Sequence, residues 1–310
     1  MNPGRGIALK IISTFVFTLM LVCVKIVAAR IPTGEIVFCR SFFALIPIVG
    51  MLLWQKQLAG SLRTERHWLH ISRGAVGITS MALSFIALAF LPLPEAMMIG
   101  YAAPLMMVAL AALILRETVG KYRWSAVAIG FVGILIILWP RFTIFGAPGA
   151  AHDRAMIGAL LALLSAFGSA FASVFVRAMT RTESTGTIVL YFSLSAALLS
   201  LVVTLPLGWT VPSPADAALL VTIGLLGGSG QILMTTAYRN ADAATIASFE
   251  YVSMLWGLSF GYIFFSEVPN ASVVYGGAIV AAAGVFIIFR ERQLGLRRKR
   301  QRKATRSGPS

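Results

Sequence analysis

Apolar residues in this chain come in runs of about 20, separated by short polar breaks, with none of the two-residue alternation that marks a strand. At ~1.5 Å of rise per residue, a run of that length crosses the ~30 Å hydrocarbon layer of a bilayer as one helix. Ten such helices are expected, at about 7–29, 34–53, 71–91, 94–115, 123–139, 155–179, 186–206, 216–238, 242–265 and 271–289. Only helices and closed barrels satisfy their backbone hydrogen bonds in lipid. The missing strand period argues against a barrel, so the expected class is an all-α integral membrane protein.

The pattern occurs twice. Shifted by 152 residues, Gly6 meets Gly158, Ser13 meets Ser165 and Phe15 meets Phe167. Val22-x-Val24-Lys25 meets Val174-x-Val176-Arg177, and Thr33-Gly34-x-Ile36-Val37 meets Thr185-Gly186-x-Ile188-Val189. At a shift of 150, Ala87 meets Ala237, Tyr101 meets Tyr251 and Glu117 meets Glu267. Five spans is an odd number, so the second copy enters from the opposite side. The expected architecture is ten transmembrane helices as two inverted five-helix repeats, a common construction of secondary transporters. The parts are a first repeat at 5–140, a periplasmic linker at 141–154, a second repeat at 155–290 and a basic cytoplasmic tail at 291–310. The tail lacks apolar periodicity and is expected to be disordered. The first apolar run is too long for the core of a secretory signal and is read as a retained helix.

Composition agrees. The chain is 58% hydrophobic and 12% charged, against about 25% charged in soluble domains. The net charge of +15 is distributed as topology charge. With the N-terminus in the cytoplasm, 21 of the 26 lysines and arginines face inside, nine of them between Arg290 and Arg306. Lys25, Arg30, Arg40, Arg141 and Arg154 remain outside. That asymmetry places both termini in the cytoplasm of a bacterial inner membrane. It also argues against nucleic acid as a partner and gives the tail anionic headgroups as one. Cys23 and Cys39 lie in apolar segments, and His67, His70 and His152 form no ligand cluster, so no disulfide, metal or cofactor is expected.

Several residues point to a family. Arg40 lies shortly after the start of the second helix; the stretch Ala87 to Glu117 contains Pro104 and ends in Arg116-Glu117; Gly130 and Gly133 follow. The second half repeats this with Ala237 to Glu267 and then Gly276, Gly277 and Gly284. Each half resembles the EamA unit of the drug/metabolite transporter superfamily. Ser248-Phe249-Glu250-Tyr251, with Trp256 and Glu267, is similar to a subgroup common in bacteria. The resemblance implies two pseudo-symmetric bundles around a cavity lined largely by helices 3, 4, 8 and 9, and a small organic metabolite as substrate. Met254 stands where Pro104 stands in the first half, which leaves a kink there open.

Glu250 lies eight residues past Asp242, about 12 Å into the bilayer at the helical rise. An ionisable group at that depth needs a cavity or a partner. Substrate contact, proton coupling and an inter-helix bond that fixes packing are the readings. Arg40 either holds an anionic group, pairs with an acid or snorkels. Lys25 and Arg177 fit snorkelling, Glu95 fits a helix cap, and Glu117 and Glu267 fit anchoring or pairing with nearby basic residues. Tyr101, Phe249, Tyr251 and Trp256 would stack on a planar substrate or pack between helices. Gln231, Thr235 and Thr236 give helix 8 a polar face, and Gly227-Gly228-Ser229-Gly230 gives it a hinge or a close helix contact. That glycine stretch lacks the Lys-Ser/Thr of a phosphate loop.

The expected function is secondary transport of a small organic metabolite by alternating access. Few fixed charges and several aromatic residues favour a planar, largely neutral molecule, and among the superfamily's substrates riboflavin fits. Amino-acid or S-adenosylmethionine transport is the alternative. A membrane-embedded enzyme on lipid-linked substrates is the reading from another class, but it needs convergent catalytic groups and none is present. A homodimer is left open. Fusions after Lys303 should fluoresce as a cytoplasmic reporter and stay inactive as a periplasmic phosphatase; the opposite pattern would reverse the topology.

Overall fold

The long apolar runs fold as helices. A computed structural model describes residues 3–62, 64, 66–114, 121–142, 150–179, 182–240 and 249–286. The helices are α1 (Pro3–Val27), α2 (Thr33–Trp54), the one-turn α3 (Leu58–Ser61), α4 (His67–Phe90), α5 (Leu93–Gly100), α6 (Ala102–Ile114), α7 (Lys121–Phe142), α8 (Ala150–Met179), α9 (Thr185–Thr204), α10 (Pro214–Asn240), α11 (Val252–Phe265) and α12 (Ala271–Phe286). A 3-10 turn at Leu205–Leu207 closes α9, and another at Phe249–Tyr251 leads into α11. No described residue lies in a strand. α1, α2, α4, α8, α9 and α10 are long and apolar enough to cross a membrane, and Trp124–Trp139 and Ala271–Phe286 are shorter apolar helices. Large apolar side chains remain exposed on them, among them Ile129, Val132 and Leu135 on α7 and Leu198, Val202 and Val203 on α9. These are the surfaces that lipid covers in a multi-pass membrane protein.

The expected fourth helix is two. It breaks at Tyr101, between α5 and α6. Pro104 supplies the reason: it has no N–H for the carbonyl of Gly100, and its ring would collide with that carbonyl in a continuous helix. In the second half Met254 replaces the proline, yet the Phe249–Tyr251 turn stands at the corresponding place. The expected start of the ninth helix falls in 241–248, outside the described residues. So do 143–149 of the expected linker, Glu117, and the tail.

Helix ends bring polar groups inward. Ser184 caps α9, its Oγ accepting from the Thr187 N–H at 3.1 Å. α11 ends at Ser266 in the left-handed region (φ 53°), and the Glu267 N–H reaches back to the Gly261 carbonyl at 3.0 Å. That turn aims Glu267 across the bundle.

Packing is most extensive between α1 and α10 and between α4 and α8. Individual contacts come in pairs at the repeat shifts. Ser13 Oγ donates to the Gly230 carbonyl at 3.0 Å, and Ser165 Oγ donates to the Ser80 carbonyl at 2.8 Å. Gly34 packs against Thr204, and Gly186 against Leu52. A methyl at Gly77 would sit 3.0 Å from the Phe192 ring, and one at Gly227 would sit 2.9 Å from Arg40 Nε. Small residues at these crossings let helix backbones approach where lipid supplies no hydrophobic drive.

α10 and α2 are tightest at Gly228, where an added methyl would lie 2.6 Å from the Ala44 carbonyl and 2.7 Å from Pro47. Gly228→Val should cost about 1–3 kcal/mol, since backbone cannot yield as a side-chain tip does. Gly50 lies inside α2 and meets nothing within 4 Å, so Gly50→Ala should not destabilise and should add about 0.5–1 kcal/mol through helix propensity. Melting of the two purified variants checks the contrast.

Candidate functional site

One face of α1 is polar and buried. Lys10, Ser13, Thr14 and Thr18 are each 3% exposed or less. The two threonines satisfy themselves within the helix: Thr18 Oγ1 donates to the Thr14 carbonyl and Thr14 Oγ1 to the Ile11 carbonyl, both at 2.8 Å. Lys10 instead reaches out of α1 and forms an ion pair with Glu250. The Glu250 side chain is 37% exposed and the Lys10 side chain 1%. Glu250 is therefore partnered, across 240 residues of sequence.

The Phe249–Tyr251 turn groups further expected residues around this pair. Ser253 Oγ lies 2.5 Å from the Glu250 carbonyl, and the Tyr101 hydroxyl lies 2.7 Å from Ser253 Oγ. The Tyr101 and Tyr251 rings pack against each other at 5.4 Å and 52°. Both are buried, and Tyr251 rests on Gly284 of α12, where a methyl would collide with its hydroxyl. Trp256 meets Phe15 edge-on at 5.3 Å, with its Nε1 buried and unpartnered. Gln231 and Thr235 are buried on α10, and Thr235 Oγ1 donates to the Gln231 carbonyl at 2.7 Å.

Arg40 stands apart from this group. It extends from α2 to Gly227 on α10, and its guanidinium lies 5.6 Å from the Phe192 ring. From α4, Arg73 covers the same ring at 3.7 Å. Both arginines are buried, at 3% and 6% exposure, and the Nε and Nη1 atoms of both lack hydrogen-bond partners among the described residues. Neither makes an ion pair with a described residue.

The other end of α1 is tied as well. Lys25 Nζ lies 2.6 Å from Glu267 Oε1 and donates to the Leu91 carbonyl at 2.6 Å. Glu267 Oε2 accepts from the Leu93 N–H at 2.8 Å, satisfying the first turn of α5. Lys25 therefore pairs rather than snorkels. Just beyond α1, Arg30 Nη2 donates to Asp216 at 2.6 Å, and the hydrogen bond holds the Arg30 guanidinium pKa above its ordinary value. Glu95 is buried in the first turn of α5.

Sequence reasoning did not single out Lys10 or Arg73 as site residues. Both were counted as topology charge. The signal for Lys10 is the stripe Lys10, Ser13, Thr14 and Thr18, whose spacing lies on one helix face inside an otherwise apolar run. For Arg73 it is the glycine pair Gly74 and Gly77 following a basic residue within a span.

The chain belongs to the EamA-like transporter family, whose family model matches residues 4–139 and 156–290. It is a transporter rather than an enzyme. It is 29% identical to the pseudopaline exporter CntI of Pseudomonas aeruginosa, over 90% of this chain and 94% of that protein. It is 26% identical to an S-adenosylmethionine uptake transporter of Rickettsia prowazekii, over 93% and 94%. To a riboflavin transporter of Rhizobium johnstonii it is 27% identical, over 97% and 96%. A crystal structure at 17% identity superposes with a TM-score of 0.66, over 95% of this chain and 99% of that one, which shows the shared fold.

Removing one member of a buried pair leaves the other charged and desolvated. Glu250→Gln, which leaves Lys10 buried without this carboxylate, should cost about 3 kcal/mol, the low end for buried pairs because Glu250 is partly exposed. Adding Lys10→Met to Glu250→Gln should recover a large part of that loss. Melting temperatures around the double-mutant cycle test it; strictly additive losses would mean that the two side chains do not couple.

Proposed function

We propose that the chain is a secondary transporter of a small organic metabolite in a bacterial inner membrane, working by alternating access between two inverted five-helix halves. The halves are 5–140 and 155–290, joined by a linker at 141–154, with both termini and the 291–310 tail in the cytoplasm. The paired contacts Ser13–Gly230 and Ser165–Ser80, and Gly34–Thr204 and Gly186–Leu52, support this reading, because the repeat shifts of 152 and 150 residues carry each onto the other.

The observation that carries the mechanism is the pair of ion pairs on α1. Lys10–Glu250 ties its first part to the segment leading into α11, and Lys25–Glu267 ties its far end to the turn after α11. They lie 15 residues apart on α1, about 22 Å at the helical rise. Opening the cytoplasmic side separates the first while the second holds, and opening the other side does the reverse. Such rocking of one unit against another around a central site is how inverted-repeat transporters alternate. Glu250 then serves both as gate partner and as a titrating or substrate-contacting group when Lys10 leaves it. Tyr101, Tyr251 and Trp256 shape the wall beside it, Gln231 and Thr235 line α10, and Arg40 contacts the substrate from α2.

The riboflavin reading rested on an interior with few fixed charges and open aromatic faces. Lys10, Arg40 and Arg73 are all buried, and Tyr101 and Tyr251 cover each other. This interior suits a charged, amino-acid-like metabolite better than a neutral flavin, so amino-acid or S-adenosylmethionine transport becomes the preferred reading and riboflavin the second. In liposomes holding the purified protein, counterflow of S-adenosylmethionine or an amino acid should exceed that of riboflavin at equal concentration. The reverse order would restore the flavin reading. Lys25→Met should slow counterflow at least roughly tenfold, the effect of about 1.4 kcal/mol on the closed state.

A further inference from the structure

Among the described residues, the other buried or half-buried basic side chains of this bundle have acids beside them. Lys10 has Glu250, Lys25 has Glu267, and at the rim Arg30 has Asp216. Arg40 and Arg73 break that pattern. They come from different helices, converge on one phenylalanine ring and bring two positive charges together with no described carboxylate in ion-pair reach. A ring face offsets only a small part of the desolvation of one guanidinium, and nothing offsets the mutual repulsion of two. Four of their N–H-bearing nitrogens are sealed from solvent and unsatisfied. Buried donors of that kind are rare unless a ligand completes them.

The surroundings leave room for these heads. Arg73 Nη1 lies 2.8 Å from where a side chain at Gly77 would begin, and Arg40 Nε lies 2.9 Å from the corresponding point at Gly227. Glycine at both places lets each guanidinium lie against a helix backbone. A third side chain close by, His70, faces Glu183 at 3.9 Å and the Tyr191 ring at 4.5 Å, so it does not supply the missing negative charge.

We propose that Arg40 and Arg73 together bind an oxyanion of the transported metabolite, a carboxylate in the first instance, above the ring of Phe192. The inference rests on the transporter reading and narrows its substrate class to molecules bearing such a group. A planar carboxylate has two oxygens able to accept from both guanidinium forks, and two arginines neutralise it more fully than one. The substrate enters when the halves part, and the present arrangement is closed over the arginines. A phosphate group offers the same acceptor chemistry, so the test separates the two.

The full chain, purified in detergent, is melted in sodium malonate, sodium phosphate and sodium chloride at matched ionic strength. Malonate should raise the melting temperature by roughly 2–4 °C over chloride. Arg40→Gln and Arg73→Gln should each abolish that rise, while Arg40→Lys, which keeps the charge and loses the fork, should retain part of it. Without added anion the glutamine variants should melt no lower than the parent, because each relieves an unpaired buried charge. A rise in phosphate alone would keep the oxyanion site and assign it a phosphate-bearing substrate. Equal melting in all three salts, an undiminished rise in both glutamine variants, or anion-free variants that melt well below the parent would overturn the proposal. The readout is independent of transport, so failure to find counterflow of any metabolite would count against the transporter mechanism and leave this result standing.

Discussion

A lysine inside a helical bundle surrounded by lipid must find a negative partner, and α1 carries two of them. Each reaches a glutamate near one end of α11, so a single helix of the first half is fastened to the second half at two depths. Isolated, either charge would cost several kcal/mol in that environment. The helix therefore cannot rotate or slide relative to its neighbour without separating a pair. That constraint fixes which face of α1 looks inward and where its threonine stripe lies.

The second organising factor is close backbone approach. Glycines at 34, 77, 186, 227 and 228 admit Thr204, Phe192, Leu52, Arg40 and Ala44, respectively. Hydroxyls that would otherwise be stranded in the interior turn to carbonyls: Ser13 to Gly230, Ser165 to Ser80, and Thr235 to Gln231 within its own helix. Local satisfaction of this kind leaves few uncommitted polar atoms on the inner faces. Among the described residues, the buried atoms that remain uncommitted lie two each on Arg40 and Arg73 and one each on Glu35, Ser41, His70, Thr204 and Trp256.

Much of the fold was legible in the chain because the bilayer imposes a one-dimensional rule of length and polarity. The long helices and the recurrence of the family unit in both halves follow from it, whereas the break at Tyr101 does not: Pro104 is in the sequence, yet the expected fourth helix runs unbroken. Glu250 stood out as an ionisable residue within an apolar run, and it lies in the Phe249–Tyr251 turn rather than mid-helix. Azimuth and partnership were not legible. Lys10 reads as interfacial topology charge until α1 is seen to turn its polar stripe inward, and Arg73 reads the same way until α4 brings it to Phe192. Lys25 fits snorkelling by depth alone, whereas the left-handed turn at Ser266 places Glu267 beside it. The turn at Phe249–Tyr251 forms with Met254 where the first half has Pro104, so the residue that explains the break at Tyr101 does not explain this turn. The missing information in each case is a contact between residues far apart in sequence.

A duplicated fold has a particular consequence for chemistry at its centre. Positions related by the repeat shift face each other there: Tyr101 touches Tyr251, and Arg40 faces Phe192, its counterpart at 152 residues. Where both copies keep the same residue type, the centre stays symmetric and packs as tyrosine on tyrosine. Where the copies have diverged, a cation from one half meets an aromatic face from the other, and Arg73 adds a second cation that its own counterpart, Ile223, does not match. Lys10 and Glu250 diverge likewise, since Ala162 and Gly100 hold the matching places. Symmetric packing residues keep the two sides of such a contact chemically alike. Diverged residues make the contact unsymmetric, with the buried cations of Arg40 and Arg73 on one side of it and the Phe192 ring on the other.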